Sequence, residues 1–113
     1  MMKKFLIALL IVVWSFTAFA ADTAKTEVSI TAQNTFSAPI SVHGYFNVSI
    51  SGISSSTVYI QRSFNNGTTW KDVQSYTADT EDAGYEPERD IWYRVGVKTG
   101  GFGSGTILGR ISQ

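Results

Sequence analysis

The 113-residue chain contains no cysteine and a single histidine, His43. The first absence excludes a disulfide framework, a thiolate zinc site and a cysteine nucleophile. The second leaves any imidazole-based triad or metal centre to be built on one residue, and no Ser or Asp constellation surrounds it in sequence. There is no excess of either charge: nine basic residues stand against nine acidic ones, so a strong positive field for nucleic acid is missing. Prolines number two, Pro39 and Pro87. Long apolar runs are confined to the first twenty residues. Beyond them no helical period survives.

Those first residues are a different material. Met1 to Lys4 is a short basic start, Phe5 to Trp14 an unbroken apolar run, and Ala18-Phe19-Ala20 ends the segment with small residues at the expected spacing. Charged start, short apolar middle and A-x-A exit are the anatomy of a secretory signal peptide, since the run falls short of the roughly 20 residues that span a bilayer. The expected segments are a signal-peptide helix over 1–20, cleaved after Ala20, a flexible leader over 21–26 and one folded domain over 27–113. The alternative is an uncleaved signal anchor. Cleavage leaves 93 residues with seven basic and nine acidic side chains, no stable membrane anchor, and enough chain for one modest core.

In that remainder apolar residues alternate with polar ones. Strands are expected at Glu27–Gln33 (Val28, Ile30, Ala32 inward), Ile40–Ser51 (Phe46, Val48, Ile50 inward, with Gly44 at a bulge or bend), Val58–Gln61, Trp70–Tyr76, Ile91–Lys98 (Ile91, Tyr93, Val95, Val97 inward) and Thr106–Ser112 (Ile107, Ile111 inward). Asn65-Asn66-Gly67 supplies the turn of a hairpin. Trp70 and Val73 are three apart, which a bulge near Lys71-Asp72 would bring to one face. The segment Thr77–Asp90 holds six of the nine acids; Pro87 argues against a central strand there, leaving at most a short edge strand anchored by Tyr85. Thr99–Gly105, with four glycines, reads as a hairpin loop. Trp70, Phe46, Val48, Ile60 and Tyr93 are the expected core. The period and turn spacing predict an all-β protein, an antiparallel sandwich of six or seven strands with Ig-like or fibronectin-like character.

Two resemblances add to this reading. Ser63-Phe64-Asn65-Asn66-Gly67-Thr68-Thr69-Trp70 resembles the Asp-box, S-x-D-x-G-x-T-W, with Asn65 where Asp is usual. The box is a structural hairpin and implies no catalysis. From Val58 onward the order QRSFNNGTTW, GYEPE, YRVGVKTG and SGT is similar to small β-sandwich proteins of tailed phages and prophages. That similarity implies a virion component, although the leader departs from it because virion proteins assemble in the cytoplasm.

Three places could carry function. Trp92 and Arg94, outward if Tyr93 is inward, would lie near Tyr59 of a neighbouring strand and offer an aromatic–cation contact to a sugar or protein. Their alternative is burial of Trp92 in the core or under a loop. Asp79, Glu81 and Asp82 are a calcium candidate, since Ca²⁺ takes six to eight oxygens, although the spacing departs from a D-x-D-x-D-G loop. The same acids, over Asp79–Asp90, are the only candidates for a hydrolase. Asn47-Val48-Ser49 and Asn66-Gly67-Thr68 match the glycosylation acceptor pattern, silent in a bacterial or phage product. The expectation is an exported, non-enzymatic structural or interaction module with no cofactor and a protein or glycan partner. The alternative is a small carbohydrate-binding module using exposed aromatics.

Overall fold

The computed structural model describes residues 24–113; the expected signal peptide lies outside them. Seven strands follow in order: β1 (Lys25–Ile30), β2 (Thr35–Phe36), β3 (Ile40–Ser51), β4 (Val58–Ser63), β5 (Lys71–Tyr76), β6 (Thr80–Val97) and β7 (Ile107–Ser112). The described chain is all-β, and every pairing is antiparallel. The strands form a single open sheet ordered β1-β7-β3-β6-β4-β5, with β2 paired to the second half of β6.

Two long strands fold this sheet over. β3 and β6 pair at Gly44↔Glu86 and again at Val42↔Ile91, so one residue of β3 opposes four of β6. The excess, Pro87 to Asp90, forms a wide bulge, with Gly44 (φ 87°) and Asp90 (φ 62°) in the left-handed region at its ends. Glycine occupies that region freely and Asp tolerates it. Strands that bend through a bulge make the corner between two layers. One layer comprises β1, β7, residues 44–51 of β3 and 80–86 of β6. The other comprises β2, residues 40–42 of β3, 91–97 of β6, β4 and β5. The folding over is plain from Phe46 and Tyr93. They lie far apart along the flat register, yet their rings pack 4.8 Å apart between the layers.

The core fills that space with Ile30, Val42, Phe46, Val48, Ile50, Val58, Ile60, Ile91, Tyr93, Val95, Val97, Ile107 and Ile111, joined by Ile40 at its rim. These are the inward positions of the period-two pattern, and β-branched residues dominate them because they suit the pleated surface. Small residues let the layers approach. A side chain on Gly84 would sit 2.4 Å from the Phe46 ring, and one on Gly109 would meet Val95 at 3.2 Å.

Several expectations need correction. β1 begins at Lys25, so Lys25 and Thr26 belong to the sheet; Thr26 is buried and donates to the Ala38 carbonyl at 2.6 Å. The acidic segment is not a loop, for Thr80–Glu86 is paired along its length with β3. Pro87 follows the rule that a proline inside a sheet sits at a bulge, but the strand that carries it is central. Thr99–Gly105 is not a hairpin loop, because β6 and β7 are not neighbours; it crosses from one layer to the other. It is pinned by Thr57 N to Gly101 O (3.0 Å) and Gly103 N to Ser56 Oγ (2.7 Å). The β4–β5 irregularity falls at Val73, the extra residue between Gln74↔Ile60 and Asp72↔Gln61. Val73 is consequently exposed, and Trp70 lies outside the core.

The hairpin turn is built on two side chains. Ser63 Oγ, fully buried, accepts from the Gly67 amide at 2.8 Å and donates to Asn65 Oδ1 at 2.9 Å. Asn65 Oδ1 also accepts from the Thr69 amide (3.0 Å), while its Nδ2 donates to Thr69 Oγ1 (2.8 Å). Asn66 and Gly67 take successive left-handed conformations. An Asn65→Ala substitution removes three of these bonds and is expected to cost about 1–2 kcal/mol. Asn65→Asp keeps both acceptor bonds and should cost less than half as much, read by urea denaturation.

Candidate functional site

Tyr59, Trp92 and Arg94 share the outer face of the second layer, where β4 and β6 pair Tyr59↔Gly96, Gln61↔Arg94 and Ser63↔Trp92, with Tyr59 against Lys98. All three are half-buried. Trp92 is roofed by the hairpin turn: a side chain on Gly67 would touch its ring and that of Trp70, each at 3.4 Å. Arg94 is held between two aromatic faces, with its guanidinium carbon 4.0 Å from the Phe36 ring centroid and 4.4 Å from that of Trp70. Phe36 reaches it because Gly96 opposite has no side chain to displace the ring. Arg94 Nε donates to Gln61 Oε1 (2.8 Å), and Gln61 Nε2 donates to Asp72 Oδ1 (2.8 Å). Asp72 Oδ2 accepts from Lys98 Nζ (2.6 Å), whose ammonium lies 4.3 Å from the centre of the Tyr59 ring. Lys98 and Gln61 hold the Asp72 carboxyl below its usual range, and Asp72 raises Lys98.

The calcium candidates do not converge. Asp79 caps the Ile53 amide at 2.9 Å, Glu81 accepts from Ser49 on the outer face, and Asp82, exposed on the opposite face of the strand, accepts from Tyr76 Oη at 2.8 Å. Successive strand positions face opposite sides. Among the described residues no three His, Cys, Asp or Glu groups are placed to hold a metal ion.

Glu86, counted in sequence with the solvated acids, is 1 % exposed. Its carboxylate accepts from Arg62 Nε (2.6 Å) and Nη2 (2.9 Å), from the Glu88 amide (2.9 Å) and from Tyr93 Oη (2.8 Å). The Arg62 fork holds its pKa at about 2 against the opposing effect of burial, with the Glu88 amide and Tyr93 hydroxyl assisting. Burial first, and then the bond to Glu86, push Tyr93 up to about 12. With every lone pair engaged, this carboxylate ties the bulge to β4 and to the core. It is not presented to a substrate.

A pair of exposed aromatics in mutual contact lies elsewhere. Tyr45 and Tyr85 are direct cross-strand partners on the outer face of the first layer, 79 % and 57 % exposed, with ring centroids 4.7 Å apart. Tyr85 is therefore no buried anchor. The signal for this pair was present: if Phe46, Val48 and Ile50 face inward, Tyr45 must face out. What the sequence lacked was the partner strand. On the same face β3 contributes Asn47, Ser49 and Ser51, and β7 contributes Leu108 and Arg110. Beside them lies a shallow trough of about 430 Å³ bordered by Glu27, Ser29, Ser49, Ser51, Leu108 and Arg110.

These features define a small all-β protein, one antiparallel sheet folded over its core, with two decorated outer faces. No family model matches the chain, and neither does any of the curated proteins or solved structures compared with it.

Proposed function

We propose that the protein is an exported, non-enzymatic interaction module that binds a glycan through the outer face carrying Tyr45 and Tyr85. The observation behind this reading is the exposure of two tyrosines in tilted contact on a sheet face that also carries the hydrogen-bonding side chains of Asn47, Ser49 and Ser51. Aromatic rings with their hydroxyls offer apolar area and polar handles together at little conformational cost. A pyranose presents the complementary surface, with a C–H face for the ring and hydroxyls for Asn47, Ser49 and Ser51. The leader supports export. The Asp-box-like segment acts as a hairpin device in this reading and brings no catalysis.

A glycan array followed by titration calorimetry tests the reading. Tyr45→Ala should weaken the best glycan at least about tenfold, as truncation of a central aromatic anchor does. Asn65→Asp, on the other layer, should leave affinity unchanged. Absence of any glycan binding, or indifference to Tyr45→Ala, would count against it. The likeness to phage sandwich proteins supports a second setting, with the same face turned outward from a virion. Capsid or tail genes beside this one would support that setting, and a cellular neighbourhood would remove it.

A further inference from the structure

Arg94 is a half-buried cation with no carboxylate partner among the described residues. Among the described residues Arg62, Arg110, Lys25 and Lys98 each pair with a carboxylate, whereas Lys71, Arg89 and Arg94 do not. Lys71 and Arg89 are exposed, so water solvates them; Arg94 lies against Phe36, Trp70 and Gln61. A desolvated charge without a partner is costly unless something offsets it. The nearby carboxylates cannot do so. Asp72 is taken by Lys98 and Gln61, and Glu86 and Glu88 by Arg62 on the inner side.

The guanidinium is also fixed in place. Two rings clamp its faces and Gln61 holds Nε, while among the described residues its two terminal nitrogens have no hydrogen-bond partner. It borders an open cleft of about 370 Å³, together with Asn34, Phe36, Gln61, Lys98 and Thr99. Gln61 has both ends of its amide engaged, so its part is to orient Arg94. The groups left to meet a ligand are the Arg94 fork, the Lys98 ammonium, the Asn34 amide and the Thr99 hydroxyl.

The geometry points to a second binding site, distinct from the tyrosine face and independent of it, at which Arg94 takes the carboxylate of an acidic sugar. A planar guanidinium whose terminal Nη1–Nη2 edge is free matches a carboxylate in bidentate fashion. The amide, the hydroxyl and the edge of Phe36 suit a hydroxylated ring behind that carboxylate. The two outer faces point in opposite directions, so both sites can be filled at once.

The test is an NMR titration of the purified protein with D-galacturonate, following the Arg94 Nε–H and the Gln61 side-chain amide. Saturable shifts of both are expected, with no response to the methyl ester of the same sugar. Arg94→Lys keeps the charge but loses the fork, and should weaken binding at least about tenfold. Lys98→Met, which leaves Phe36 and Trp70 in place, should weaken it too, and covers the event that Arg94→Lys disturbs packing. Tyr45→Ala should change nothing here, which separates failure of this site from failure of the tyrosine face. Equal binding of the methyl ester, tighter binding of inorganic phosphate, or full affinity in both Arg94→Lys and Lys98→Met would overturn the assignment.

Discussion

Replacing Glu86 with alanine is expected to destabilise the protein by about 3–5 kcal/mol, the usual cost of stranding one member of a buried ion pair. The substitution leaves the Arg62 guanidinium and the Tyr93 hydroxyl without the carboxylate that both address. It also frees the Glu88 amide and with it the turn of the bulge. For a domain of this size such a loss lowers Tm on the order of 20 °C. Replacing both partners, Arg62→Met with Glu86→Leu, should recover most of it, because the desolvation cost disappears with the charges. A loss below about 1 kcal/mol in Glu86→Ala would show that the pair is not structural. The pH dependence follows from the same contacts. Folding lowers the Glu86 pKa from 4.5 to about 2, so its contribution is fully present above pH 4.5. That contribution declines as pH falls and is lost through about 2. Asp72 and Asp82, also lowered, act in the same direction. Urea midpoints of the wild type should therefore drop between pH 4.5 and 2, and those of Glu86→Gln should drop less.

Phe46→Ala should cost a comparable amount, about 3–5 kcal/mol. The ring fills the space left by Gly84 and packs against Tyr93 from the opposite layer, so its removal opens a cavity at the seam of the fold. Phe46→Leu should lose less than half as much. Because Phe46 and Glu86 both touch Tyr93, their effects should not add, and a double-mutant cycle is expected to show coupling of at least about 0.5 kcal/mol. Strict additivity would mean that the core contact and the polar network stabilise the seam independently.

The sequence was most legible where a single strand decides the outcome. The inward sets of β3, β7 and the second half of β6 follow from period two alone, and the bend at Gly44 from the glycine that precedes the alternating register. It misled where the partner matters. Glu86 looks like one more solvated acid until Arg62 and Tyr93 are placed against it from other strands. Trp70 looks like core until the extra residue is found at Val73, which turns the indole outward onto Arg94. Tyr85 looks like an anchor because nothing local reveals that the strand opposite carries Tyr45.

By itself, then, the sequence determined an all-β chain, the inward face of most strands and the hairpin at Asn65–Gly67, because side-chain alternation and turn chemistry are local properties. Only the tertiary structure decided that the strands form one sheet folded through a bulge, that one acid of six is buried, and that Arg94 lies between Phe36 and Trp70 with a cleft before it. Those outcomes depend on strand order and register between segments distant in the chain, and on which charges the fold leaves room to pair.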